Sequence, residues 1–349
     1  MTSPALARPS LASFWNDLPR DGKLLLSTVA VETLGTGLVL PFGFIYLHEV
    51  RGFTIETAGT LLAVPAIVGM AVVGPAGALI DRLGARRIIL AGMTAQMLGN
   101  ALSFLAPLAV LLGPLRHVSG KVDHPVSELD GSPVRTSYLN VLRDRAMVPV
   151  IALTFLSAFV GYAQMEAGFT AYARLVGQVS TRTIGYAFAA NTVTIVLLQL
   201  LVLQRIEGRR RTRVILVLSA LWALSWLMTG LSGLVPGSSV AAVLIIGSYA
   251  VFALGETLLQ PTIPAITNDL SPDHLRGRYN AVMAGAFQLA AVAGPVVAGV
   301  MLGARFNAGF IGMLVLGCAA MALIAFAVEH RIPARANGIS TPAMEPSEV

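Results

Sequence analysis

The chain has 349 residues, of which 55% are hydrophobic and only 12% charged, with a mean hydropathy of +0.75 and a net charge of +6. Soluble domains carry about 25% charged residues, so this composition excludes an ordinary water-soluble enzyme; the apolar content excludes a disordered chain, and the single cysteine, Cys318, excludes a disulfide scaffold. The surplus Lys and Arg form no continuous basic patch interleaved with aromatic residues, which excludes a nucleic-acid binder.

In chain order, residues 1–23 read as an N-terminal tail without a cleavable leader. Apolar runs long enough to cross about 30 Å at 1.5 Å per residue follow at 24–47, 57–80, 88–115, 146–170, 184–204, 214–234, 239–265, 279–303 and 307–328. They lack the polar–apolar alternation of a β-barrel, and their Leu, Val, Ala and Gly suit helices packing closely in lipid. The expected fold is an all-α polytopic membrane protein. Its parts are a truncated N-terminal bundle at 24–115, a polar central linker at 116–145, a complete six-helix bundle at 146–330, and a disordered cytoplasmic tail at 331–349.

Positive charge marks cytoplasmic loops. GARR at 84–87, RIEGRRRTR at 205–213, and Arg276 with Arg278 set one face, whereas the intervening turns carry only Arg51, Arg174, Arg182 and Arg305. Both termini then lie in the cytoplasm, which requires an even number of crossings where nine runs are found. The conflict sits at 88–115: either a re-entrant hairpin bends near 103–107, or the basic segment 116–145 is forced outside, or a stretch is missing there. The last is the preferred reading.

GALIDRLGARR joins the second and third runs with Gly77, Asp81, Arg82, Gly84, Arg86 and Arg87 in the order glycine, acid, base, glycine, bases. It resembles the signature loop of the major facilitator superfamily, which in that family latches two halves together in one of the alternating states. VETLGTGLVLPF, with Glu32, Gly35, Gly37 and Pro41, is similar to the first helix of drug-efflux members. RIEGRRRTR echoes the basic loop in the second half, with Arg205 where Asp81 stands in the first. The family has twelve helices in two bundles of six. Runs one to three match helices one to three, and runs four to nine match seven to twelve, so most of helices four to six lacks a counterpart.

Three acids fall inside the runs: Glu32 close to the midplane, and Glu166 and Glu256 toward span ends, where water could reach them. No Lys or Arg occupies the central part of any run. Carboxyl groups in such positions are costly when ionised and unpaired, which suits them to proton coupling or substrate contact. Gln164, Gln288, Asn100 and Asn191 are candidates for substrate contact, with interhelical hydrogen bonding as the alternative. Ala286, Ala290, Gly294 and Ala298, with Pro295, lay small side chains along one face of the eighth run, for close packing or a sliding interface.

The resemblance implies a secondary active transporter in the plasma membrane, coupling protons to efflux of a small molecule by alternating access. The rival expectation is a truncated, non-transporting remnant or interaction scaffold. The histidines lie in loops or span ends with no HExxH, GxSxG or GxxxxGK[ST] pattern, so no catalytic residue, metal site or cofactor is expected. Expected partners are the bilayer, protons and a small-molecule substrate.

Overall fold

The computed structural model describes residues 20, 23, 43–83, 87, 91, 92, 94, 95, 141, 142, 144–272 and 275–339, with the backbone alone for 73–83, 166 and 200. The chain divides into two compact units, 1–39 with 79–124 and 40–78 with 125–349. In this division 40–78 and 125–145 group with the C-terminal bundle. In the second unit, α1 (Gly43–Ile45) runs into a π-turn at Tyr46–Val50 and then α2 (Ile55–Leu83), whose last five residues are counted with the first unit.

Six helical rods follow. The first is α3 (Met147–Ser157), a π-turn at Ala158–Tyr162, α4 (Ala163–Glu166) and α5 (Gly168–Leu175). Next come α6 (Thr181–Ile206), α7 (Arg211–Ser232), a rod of α8 (Ser239–Leu259) with α9 (Ile263–Leu270), then α10 (Arg276–Gly303) and α11 (Asn307–Val328). No strand occurs among the described residues. Six helical stretches among them are long and apolar enough to cross a bilayer: Ile55–Val72, Met147–Met165, Arg211–Ser232, Ser239–Leu270, Arg276–Gly303 and Asn307–Val328. α6, at 26 residues, is itself about 39 Å long by helical rise. The rods thus match the runs read from hydropathy after residue 146.

Helix ends follow their capping residues. Ser180 and Ser238 stand in extended backbone and accept the amides of Thr183 and Ala241 at 3.1 Å each, occupying orphan donors at the starts of α6 and α8. Between α6 and α7, Gly208 turns the chain at φ +71°, a conformation that favours glycine.

The core is aromatic and centred on α7. Trp222 stacks on Phe252 at 4.6 Å and 3°, and its indole N–H donates to the Phe252 carbonyl at 3.0 Å. Its ring lies between two glycines: a Cβ on Gly161 would stand 2.6 Å from it, and one on Gly255 2.5 Å. The Trp226 indole donates at 2.8 Å to the carbonyl of Val160, inside the π-turn. Ser225 donates to the Ser248 carbonyl at 2.8 Å, tying α7 to α8. Such closure is required in a medium that offers no water to backbone groups.

The small residues of α10 make two faces. Ala290, Gly294 and Ala298 are buried, and a Cβ on Gly294 would collide with Ala163 of α4, so this stripe makes a close helix contact. On the adjacent face, a Cβ on Gly59 of α2 would run into the Pro295 carbonyl, and one on Gly299 would stand 3.1 Å from the Ile55 carbonyl. These close approaches explain why 40–78 groups with α10.

Residues 331–339, expected as part of a disordered tail, are ordered, with Ile332, Ala336 and Asn337 buried. The backbone amide of Arg211 donates to the Asn337 carbonyl at 2.9 Å, and that of Thr212 donates to the Asn337 side-chain oxygen at 3.0 Å. Asn337 therefore caps the start of α7 from the far end of the chain. Residues 340–349 lie outside the described residues.

Candidate functional site

The rod of α8 and α9 is broken at its middle. Pro261 cannot donate a backbone hydrogen bond, Pro264 sits in the first turn of α9, and the hydroxyl of Thr262 bridges to the carbonyls of Leu258 and Leu259 at 2.7 and 2.9 Å. Just before this break stands Glu256, about 25 Å from one end of the rod and about 20 Å from the other by helical rise. It belongs to mid-rod rather than to a span end, because the helix resumes after the break and carries the rod on to Leu270.

Two elements reach its half-buried carboxyl group, and two further side chains pack on one of them. Asn191 of α6, buried, donates its amide to Glu256 Oε2 at 3.3 Å. Tyr162, in the π-turn of the first rod, reaches the same carboxyl group with its hydroxyl. Gln260, one turn after Glu256 on the same helix face, donates to the Tyr162 oxygen at 3.2 Å. Phe287 of α10 tilts against the Tyr162 ring at 5.8 Å. The result is a short relay, Gln260 to Tyr162 to Glu256, flanked by Asn191 and walled by Phe287. The wide π-turn is what brings Tyr162 out of α-helical register, a feature that recurs at functional sites.

This arrangement can hold and release a proton at Glu256. The phenol and the amide steady an ionised carboxylate by donating to it, and the phenol oxygen can instead accept from a protonated carboxyl group. Both of these partners are neutral, so nothing in the relay locks the carboxylate as an ion pair.

Of the residues singled out in the sequence, Glu256 and Asn191 are brought together. Gln164, fully buried, lies elsewhere and makes the interhelical bond, its amide donating to the Gly294 carbonyl at 3.3 Å. Gln288 lies against Gly69 of α2, where a Cβ would collide with its side-chain nitrogen. Glu166 ends α4 at the kink before Gly168, and only its backbone is described. Glu32, Asn100, Gly84 and Arg86 lie outside the described residues. α2 continues through Gly77, Asp81 and Arg82 to Leu83, so the first part of the expected loop is the last two turns of a helix, described for its backbone; Arg87 is exposed. Tyr162 and Gln260 were missed. Gln260 was legible as the residue four after Glu256, whereas Tyr162 depends on a π-turn that no spacing announces. Among the described residues no three His, Cys, Asp or Glu side chains group as metal ligands.

A bundle of rods long and apolar enough to cross a bilayer defines a polytopic α-helical membrane protein. The family model of the Major Facilitator Superfamily matches residues 2–120 and 147–346, and the chain belongs to that superfamily, a family of membrane transporters rather than enzymes. The second stretch covers the whole six-rod bundle. The first is too short for six more spans with their loops, so part of the N-terminal bundle is lacking. No curated protein matches the chain.

Proposed function

We propose that the chain is a secondary active transporter that works by alternating access and couples proton entry to export of a small hydrophobic or cationic molecule. The observation that carries this reading is the polar cluster around Glu256: a half-buried carboxyl group at mid-rod, next to a broken helix, bonded by an amide and with a phenol beside it. Glu32 would serve the N-terminal half in the same way. Arginines cluster at one end of the rods, at 205–213, 276–278 and 331–335, against Arg174, Arg182 and Arg305 at the other. That asymmetry supports a cytoplasmic arginine-rich end in the plasma membrane, with both termini inside.

The test is proton movement in vesicles holding the full chain, read with an internal pH dye while a panel of lipophilic cations is added. Wild type should show cation-dependent pH change, and Glu256→Gln should lower it at least tenfold while its melting temperature is kept. Wild-type rates in Glu256→Gln would remove the role of Glu256. A second reading, a non-transporting partner of another chain, draws on the shortened first match. It predicts no cation-dependent flux in wild type at any proton gradient.

A further inference from the structure

At the arginine-rich end, between the last turn of α6 and the first turns of α7, the surface opens into a cleft of about 520 Å³. Arg205, Arg209, Arg210 and Arg213 line its rim, and Val202 and Val217 its apolar wall. The charge is unbalanced. Arg210 and Arg213 share one carboxylate, Glu329, at 2.6 and 3.1 Å, while Arg211 points to Asp269. Arg205 and Arg209, both exposed, stand outside those ion pairs. Away from the rim the wall continues as the outer face of α6, where Val196, Leu197 and Leu201 are 69%, 66% and 61% exposed. An apolar face that open, on a rod of 26 residues set among membrane-crossing helices, suits contact with acyl chains.

We propose that this cleft is a binding site for an anionic phospholipid. The phosphate lies between Arg205 and Arg209, whose planar guanidinium groups donate paired hydrogen bonds to its oxygens. An acyl chain follows Val202 and Val217 down α6. Arginines that only mark the membrane surface would need no cleft and would favour no particular position on the protein. Here two cations outside the ion pairs of the described residues, the concave rim and the exposed apolar wall are continuous, the combination that recognises anionic headgroups between spanning helices.

The test uses the full chain in neutral detergent, titrated with phosphatidylglycerol, with phosphatidylcholine of the same chains, and with inorganic phosphate. Bound lipid is counted by native mass spectrometry, and melting temperature is followed in parallel. Phosphatidylglycerol should bind at least tenfold tighter than phosphatidylcholine. The double variant Arg205→Gln/Arg209→Gln should lose that preference with its lipid-free melting temperature unchanged, and Arg205→Gln alone carries the test if the double variant does not fold. Arg182→Gln/Arg305→Gln, which removes the same charge at the opposite end, should keep the preference. Equal affinity for the two lipids, or equal loss in both double variants, overturns the proposal. Inorganic phosphate that saturates the site and raises the melting temperature as phosphatidylglycerol does overturns the lipid assignment in favour of a free anion.

Discussion

Gly255→Ala adds one methyl group against the most constrained ring in the bundle. The new Cβ would stand 2.5 Å from Trp222, where ordinary contact begins near 3.4 Å, so the ring must move by close to 1 Å. Trp222 is fully buried, flat on Phe252, and bonded to the Phe252 carbonyl, and on its other side a Cβ at Gly161 would already be 2.6 Å away. Overpacking of this kind costs about 1–3 kcal/mol, and a ring that slides also strands its buried indole N–H, at about 1–3 kcal/mol, and loosens the stack, at about 0.5–1.5 kcal/mol. The gain in helix propensity is about 1 kcal/mol. The mid-range terms leave a net loss of about 4 kcal/mol, or roughly 8–16 °C in melting temperature for a bundle of this size. Thermal unfolding of the detergent-solubilised chain reads it. Gly285→Ala and Gly312→Ala, where nothing lies within 4 Å, are the controls and should be neutral or stabilising. Trp222→Leu combined with Gly255→Ala should cost less than the sum of the two. A melting temperature unchanged by Gly255→Ala, or strict additivity in the pair, would refute the sandwich argument.

Asn337→Ala removes the side-chain cap on α7 and should cost about 0.5–2 kcal/mol, as loss of an N-cap does, with faster proteolysis of 331–339 as its local signature. At the opposite end, Arg174 pairs with Glu49 through two bonds of 2.7 and 3.0 Å and holds its carboxyl group below the ordinary 4.5. A lowered folded value means that the stabilisation is whole above 4.5 and is lost as pH falls through the lowered value. Both side chains are partly exposed, so the effect is about 0.2–1 kcal/mol, and Glu49→Gln should flatten the acid limb of melting temperature against pH by that amount. Arg211→Lys keeps the charge but has no planar fork; it should weaken the joint hold on Asp269 and the Ala336 carbonyl, read as faster hydrogen exchange at the start of α7.

The rods after residue 146 were legible because each needs about 20 apolar residues and the polar turns between them are short. The small-residue stripe of α10 was legible for the same kind of reason, since Gly and Ala four apart fall on one face. Pro261 and Pro264 stood in plain view, yet the span at 239–265 reads as continuous by hydropathy, because hydropathy does not register a missing amide. The site was half legible. Glu256 and Asn191 announce themselves as polar residues in apolar runs, and Gln260 follows by helical spacing, but Tyr162 reaches them through a π-turn stabilised by Trp226 from a distant rod. The arginines of 205–213 were legible as a basic turn between two apolar runs, whereas the cleft they line depends on how α6 and α7 diverge after Gly208. The order in 331–339 escaped because Pro, Arg, Asn and Gly there have the composition of a free tail, and only the vacant amides at the start of α7 give Asn337 something to hold.

That hold sets an order of events. The amide of Thr212 waits for a partner 125 residues later in the chain, so α7 enters the bilayer with its first turn open and stays so until α11 and the nine residues after it have been synthesised. The bundle is therefore fastened last at the arginine-rich end, after every rod has been inserted. A truncation placed at 330 would remove Asn337 and leave that clasp open.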